Sequence, residues 1–159
     1  SEPEVIISTI LGSCIAVCLH DGIARIGGMN HFVLPQPKGD GSAGLADAQC
    51  YGVHSMELLI NEMMKRGANR KRLRAHIYGG AKIFSGLGAI GEAIALFAKH
   101  FMETEGIPVG HIDTGGTQAR KVEFRPFDGK VRSIVLKDAP VAEAPPPRKP
   151  APQGDVELF

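Results

Sequence analysis

The chain has 159 residues, with 43% apolar and 22% charged side chains, which is ordinary globular composition and enough for one domain with a real core. Eighteen basic against seventeen acidic residues leave a formal charge of +1, so no concentrated positive surface argues for nucleic acid. No apolar run approaches the roughly 20 residues a membrane-spanning helix needs, and the three cysteines, none in a CxxC spacing, suit free cytosolic thiols better than a disulfide framework or zinc ribbon.

In chain order, Ser1-Glu2-Pro3-Glu4 lacks the design of a secretory signal, and the opening without Met points to a shortened first strand. Val5–Ile10 and Ile15–His20 are β-branched or apolar runs that read as strands. Asp21-Gly22 signals a hairpin turn, and Ala24–Leu34 returns as a strand interrupted by Gly27-Gly28. Residues 35–44 are rich in Pro, Gly and Asp and form a loop. Asp47 is placed to cap a helix carrying Val53, Met56, Leu59, Ile60, Met63 and Met64 at helical spacing, stopped by Gly67. Leu73–Tyr78 alternates as a strand and runs into Gly79-Gly80, which lacks a phosphate-loop pattern and reads as a tight turn. A second helix, about Ile90–Glu105, ends at Gly106, and strands follow at Pro108–Ile112, Lys121–Pro126 and Val131–Leu136. Six or seven strands with two separated helices give an α+β layered sandwich over residues 1–138, with a mixed, largely antiparallel sheet. Six of the 11 prolines fall between Pro140 and Pro152, so residues 139–159 read as a solvated, disordered tail ending in Gly154-Asp155-Val156-Glu157-Leu158-Phe159.

The densest cluster of reactive side chains is Leu11-Gly12-Ser13-Cys14 with Asn30-His31 seventeen residues on. A two-residue hairpin loop at Asp21-Gly22 sets Cys14 opposite Met29, with His31 the diagonal neighbour on the same face. A lone thiol is mostly protonated at neutral pH, and an adjacent imidazole can take its proton, so an activated Cys14 should react well below the ordinary thiol pKa. Gly12, Ser13 and Asn30 are candidate pocket or oxyanion groups, and Ser8 or Thr9 could supply a hydroxyl that orients the histidine. The competing reading is structural: Cys14 and Cys18 as core strand residues and His31 as an ordinary hydrogen-bonded histidine. His20, His54, His76, His100 and His111 show no ligand spacing, so no metal or other cofactor is expected. Lys65-Arg66 and Arg70-Lys71-Arg72 with Arg74 form a modest basic patch at a helix end, and Cys50 has no companion.

The run Leu11-Gly12-Ser13-Cys14-Ile15-Ala16-Val17-Cys18-Leu19, followed by Gly27-Gly28-Met29-Asn30-His31-Phe32-Val33-Leu34-Pro35, strongly resembles the CheD family of bacterial chemoreceptor glutamine deamidases. The resemblance continues through Tyr78-Gly79-Gly80-Ala81-Lys82-Ile83-Phe84, Gly106-Ile107-Pro108, Asp113-Thr114-Gly115-Gly116 and Arg120-Lys121-Val122. It implies a layered α/β/α fold similar to that of deamidating toxins, and a protein-glutamine glutaminase converting receptor glutamines to glutamate with release of ammonia. Its nucleophile matches Cys14 and its base His31. Its third residue, a threonine, matches Ser8, leaving the orienting role open between Ser8 and Thr9, and its pattern sets Thr114 at the border of the pocket. Gly91-Glu92-Ala93-Ile94 departs from a Gly-x-Arg-Asn pattern common among relatives. The implied partners are the cytoplasmic helices of methyl-accepting chemotaxis receptors and, in some members, a CheC-type phosphatase. The implied location is the cytoplasm with recruitment to membrane receptor arrays. The alternative is a non-catalytic chemotaxis module regulating such a phosphatase or the receptors.

Overall fold

The computed structural model describes residues 1–32, 43–83 and 88–136. Of the loop expected over residues 35–44, residues 35–42 fall outside the described residues and 43–44 already belong to the first helix; the tail after residue 138 also falls outside the described residues. Its elements are β1 (Ile7–Leu11), β2 (Ile15–Asp21), β3 (Ile26–Phe32), α1 (Ala43–Lys65), a single 3-10 turn (Arg70–Arg72), β4 (Leu73–Gly79), α2 (Gly88–Thr104), β5 (Val109–Thr114), β6 (Arg120–Arg125) and β7 (Lys130–Val135).

The strands form two sheets. One has the order β3-β2-β4-β5, antiparallel except for the parallel β4–β5 pair joined through α2. The other is an antiparallel three-stranded sheet, β1-β6-β7. β2 lies at the centre and is covered on both faces, which is why its sequence is nearly continuous in apolar residues. Ile15, Val17 and Leu19 pack under the helices with Met56, Ile60 and Met63 of α1 and Ile94, Ala98, Phe101 and Met102 of α2. Ala16 and Cys18 face the other way, against Leu11, Val122 and Phe124 of the three-stranded sheet and Tyr78 of β4. The expected α+β layered sandwich with two main helices therefore holds; both helices cover one face of the four-stranded sheet and the three-stranded sheet covers the other, so among the described residues the layers run helix, sheet, sheet rather than the implied α/β/α.

α1 begins at Ala43, so Asp47 lies inside the helix rather than capping it; the run from Ala43 to Ala48 contains three alanines and a leucine, good helix formers that extend it backwards. Both helices end as their glycines dictate. Gly67 and Gly106 adopt positive φ, and the next residues, Ala68 and Ile107, donate back to Met63 and Met102, closing each C-terminus with a buried apolar side chain.

The β2–β3 turn differs from the expected two-residue loop. It spans residues 22–25, and Cys18, not Cys14, lies opposite Met29. The cause is Asp21, whose buried carboxylate accepts from Ile23 N and Ala24 N and wraps the chain into a longer turn, with Arg25 at φ 55°. The register slips by four residues. Because four is even, every side chain keeps its face, and His31 remains diagonal to Cys14, now across from Ala16.

Candidate active site

Gly12-Ser13-Cys14 is the point where the chain leaves the three-stranded sheet at Leu11 and enters the four-stranded one at Ile15. Two hydrogen bonds pin this turn to the end of β4: Gly80 N donates to Cys14 O at 2.8 Å, and Ala81 N donates to Gly12 O at 2.9 Å. Gly79 has φ +115°, and a Cβ there would lie 2.1 Å from the Cys14 carbonyl oxygen, so only glycine lets the two backbones meet.

Strand alternation decides which neighbours reach the cysteine. On β3, His31 shares a face with Met29, the face toward the three-stranded sheet, while Asn30 points to the helices and donates to Met56 Sδ. Asn30, read from sequence as a pocket candidate, is therefore on the wrong side of its sheet. On β1, Ile7, Thr9 and Leu11 turn inward while Ser8 and Ile10 are exposed. Thr9 Oγ1 lies 3.1 Å from His31 Nδ1. Ser8, the position matching the family's threonine, faces away, so the hydroxyl beside the imidazole is that of Thr9. Thr114 pairs with Gly79, which pairs with Ile15. Two strand spacings, about 10 Å, separate it from the strand that Cys14 opens, and the structure does not bring it against the cysteine.

Cys14 and His31 are thus diagonal neighbours, a relation that sets Cβ atoms roughly 7–8 Å apart or somewhat less. No hydrogen bond joins them. Cys14 is half-buried, and burial raises its thiol pKa above the ordinary value, partly countered by its own backbone N–H. His31 is exposed as a residue, yet desolvation of its ring lowers its pKa. Burial thus favours the neutral thiol at Cys14 and the neutral ring at His31, a direction opposite to that of a preformed thiolate–imidazolium pair.

The basic patch is largely spoken for. Lys65 and Arg66 pair with Glu62, Arg70 pairs with Glu105, and Arg72 pairs with the buried Asp21. Among the described residues, no group of three His, Cys, Asp or Glu side chains converges as a metal site, and no helix is long and apolar enough to cross a membrane. Sequence reading missed the role of Arg120 in β6. Its guanidinium is buried and donates to Asp113 and Gly115, joining the two sheets at the end of the molecule that carries Cys14.

The family described as "CheD chemotactic sensory transduction" matches residues 33–134. A Caulobacter vibrioides protein called probable chemoreceptor glutamine deamidase CheD is 48% identical over 164 aligned residues, covering 100% of this chain and 87% of its own length. The protein of that name from Agrobacterium fabrum is 47% identical, with 100% and 90% covered. One from Rhizobium leguminosarum is 52% identical over 139 residues, with 87% and 75% covered. With a match over well over half its length and relatives of this similarity across all of it, the chain belongs to the CheD family.

Proposed function

We propose that this protein deamidates glutamine side chains of chemoreceptors, with Cys14 as nucleophile, His31 as general base and acid, and Thr9 as the group that orients the imidazole. The observation that carries the reading is the placement of Thr9, His31 and Cys14 on facing surfaces of the two sheets at the Gly12–Cys14 crossing. The names of the relatives support the choice of substrate.

An Nδ1–H donated to Thr9 Oγ1 leaves the Nε2 lone pair of His31 free for the proton of the Cys14 thiol. As that proton moves, the sulfur attacks the carboxamide carbon, and the carbonyl π electrons pass to oxygen. The turn around Ser13 supplies backbone N–H groups for the oxyanion, since its carbonyls at Gly12 and Cys14 are tied to β4 while no hydrogen bond engages the Ser13 N–H among the described residues. The imidazolium then protonates the departing nitrogen, ammonia leaves, and a thioester remains. His31 next takes a proton from water, the hydroxide adds to the thioester carbon, and the Cys14 thiolate is expelled and reprotonated. The receptor gains a carboxylate. Burial favours the neutral form of both groups, so in this reading the thiol is deprotonated as it attacks.

Such a protein works in the cytoplasm at receptor arrays, and a CheC-type phosphatase is a fitting regulator of the same face. Intact-mass analysis of a receptor fragment tests the reading. Native protein adds about one dalton per converted amide with matching ammonia release, and Cys14→Ala adds none while still binding the fragment. Binding without any mass gain from the native protein would favour the non-catalytic module instead.

A further inference from the structure

We infer that Arg120 is a positioning residue for the nucleophile turn, holding both of its ends through one buried side chain and one strand pairing. The inference rests on the assignment of Cys14 above. Asp21 and Arg120 are the two charged side chains buried among the described residues, and Asp21 sits at the opposite end of β2. Arg120 opens β6 directly opposite Leu11, the residue that precedes Gly12-Ser13-Cys14, so its backbone fixes the entry to the turn.

Its side chain reaches the exit by a different route. Nη1 donates to both the backbone and the carboxylate oxygen of Asp113, and Nη2 donates to Gly115 O. The Asp113 carboxylate is held from its other side by Ser133 Oγ at 2.9 Å. Gly115 and Gly116 both adopt positive φ, a geometry with little stiffness of its own. From this clamped turn, Gly115 N donates to Gly79 O at 2.9 Å and Gly116 O accepts from Lys82 N at 2.8 Å. Residues 79–82 are the same segment that holds Cys14 O and Gly12 O. The path from guanidinium to nucleophile turn is therefore a stack of three backbone segments, 115–116, 79–82 and 12–14, joined by four hydrogen bonds.

A planar, bidentate fork suits this work. It engages two carbonyls and a carboxylate at fixed angles, where a lysine ammonium supplies one point charge. The guanidinium is shielded, its side chain 6% exposed, whereas the Asp113 carboxylate it holds is 39% exposed, so the cost of losing it falls on the clamped turn rather than on a stranded buried anion. A displacement of the Cys14 backbone by a fraction of an ångström alters the approach of sulfur to an amide carbon, and misplacements near 1 Å can cost on the order of 100-fold in rate.

Arg120→Lys tests the inference through three measurements on the full chain: cooperative thermal unfolding, kcat and KM on a receptor fragment, and the rate of Cys14 alkylation by iodoacetamide against pH. The expected result is a folded protein with KM within about twofold of native, kcat lowered on the order of 10–100-fold, and a displaced alkylation profile. A folded Arg120→Lys with native kcat and a native alkylation profile would overturn it, leaving Arg120 a purely structural ion. If Arg120→Lys fails to fold, Asp113→Asn serves, since it removes the charged partner while keeping both backbone acceptors. There a smaller fall in kcat with a shifted profile is expected, and no change in either contradicts the inference. Alkylation does not require turnover, so a native protein that never releases ammonia would sink the deamidase reading alone.

Discussion

The two ends of β2 carry opposite kinds of chemistry. At its far end, Asp21 is fully buried and saturated: it accepts from Ile23 N, Ala24 N, Asn69 N and the Arg72 guanidinium, joining the β2–β3 turn to the entry of β4. Burial alone would raise its pKa, but Arg72 and the three backbone N–H groups hold the carboxyl well below the usual range. At the near end, Cys14 is half-buried and His31 exposed, with a single hydroxyl on the imidazole and no bond between sulfur and ring. One end spends its polar groups on closing the fold, whereas the other leaves them free to meet a substrate. The comparison shows how a single rigid strand can anchor at one terminus and react at the other.

Substitutions at the two ends should therefore separate activity from stability. Short of removing the nucleophile itself, the largest effect on rate is expected at His31: His31→Ala should lower kcat/KM on a receptor fragment by on the order of 10²–10⁴-fold, with native thermal stability. The mirror case is Asp21→Ala, which strands three backbone N–H groups and Arg72. It should cost about 3 kcal/mol of unfolding free energy in a denaturant titration while the folded fraction keeps native turnover. An Asp21→Ala protein as stable as native would remove the contrast.

The same corner sets an acid limit. A carboxyl whose folded pKa lies below its unfolded value of about 3.9 stabilises the fold above that value, and the contribution is lost as pH falls toward the folded pKa. Native protein should lose stability from roughly pH 5 downward, and Asp21→Ala should show a flatter dependence. At the reactive end, the lowered pKa of His31 sets the acid limb of kcat/KM below the ordinary imidazole value of about 6.5. The raised pKa of Cys14 sets thiol alkylation in the free protein above the ordinary thiol range. An alkylation midpoint near neutrality would indicate a preformed ion pair instead.

The smallest effect distinguishes two adjacent hydroxyls. Thr9→Ala should lower kcat by about tenfold, Thr9→Ser should recover most of it, and Ser8→Ala should change little. Loss of activity on Ser8→Ala alone would return the orienting role to Ser8.

Much of this geometry is legible in the sequence, because a period of two survives errors of register. The β2–β3 loop is four residues long rather than two, yet Cys14 and His31 keep their shared face. The same alternation, read along β1 from the inward Leu11, places Thr9 inward and Ser8 outward, and along β3 it turns Asn30 away from His31. What the pattern does not carry is contact between sheets. Nothing local says that Thr9 of one sheet meets His31 of the other, or that residues 79–82 cradle the cysteine turn. Arg120 gave a signal of this kind: it occupies the inward phase of Arg120, Val122 and Phe124, where a cation needs a buried partner. Asp47 shows the opposite failure, an attractive cap residue overridden by helix-forming neighbours upstream.

The transfer of an acyl group to Cys14 can be tested by hydroxylamine trapping. With a receptor fragment and native protein, hydroxylamine should intercept the thioester, and mass spectrometry should find glutamyl hydroxamate beside glutamate at the same positions; Cys14→Ala should give neither. Glutamate formed at an undiminished rate by Cys14→Ala, or by native protein with no hydroxamate at saturating hydroxylamine, would contradict a covalent route through this cysteine.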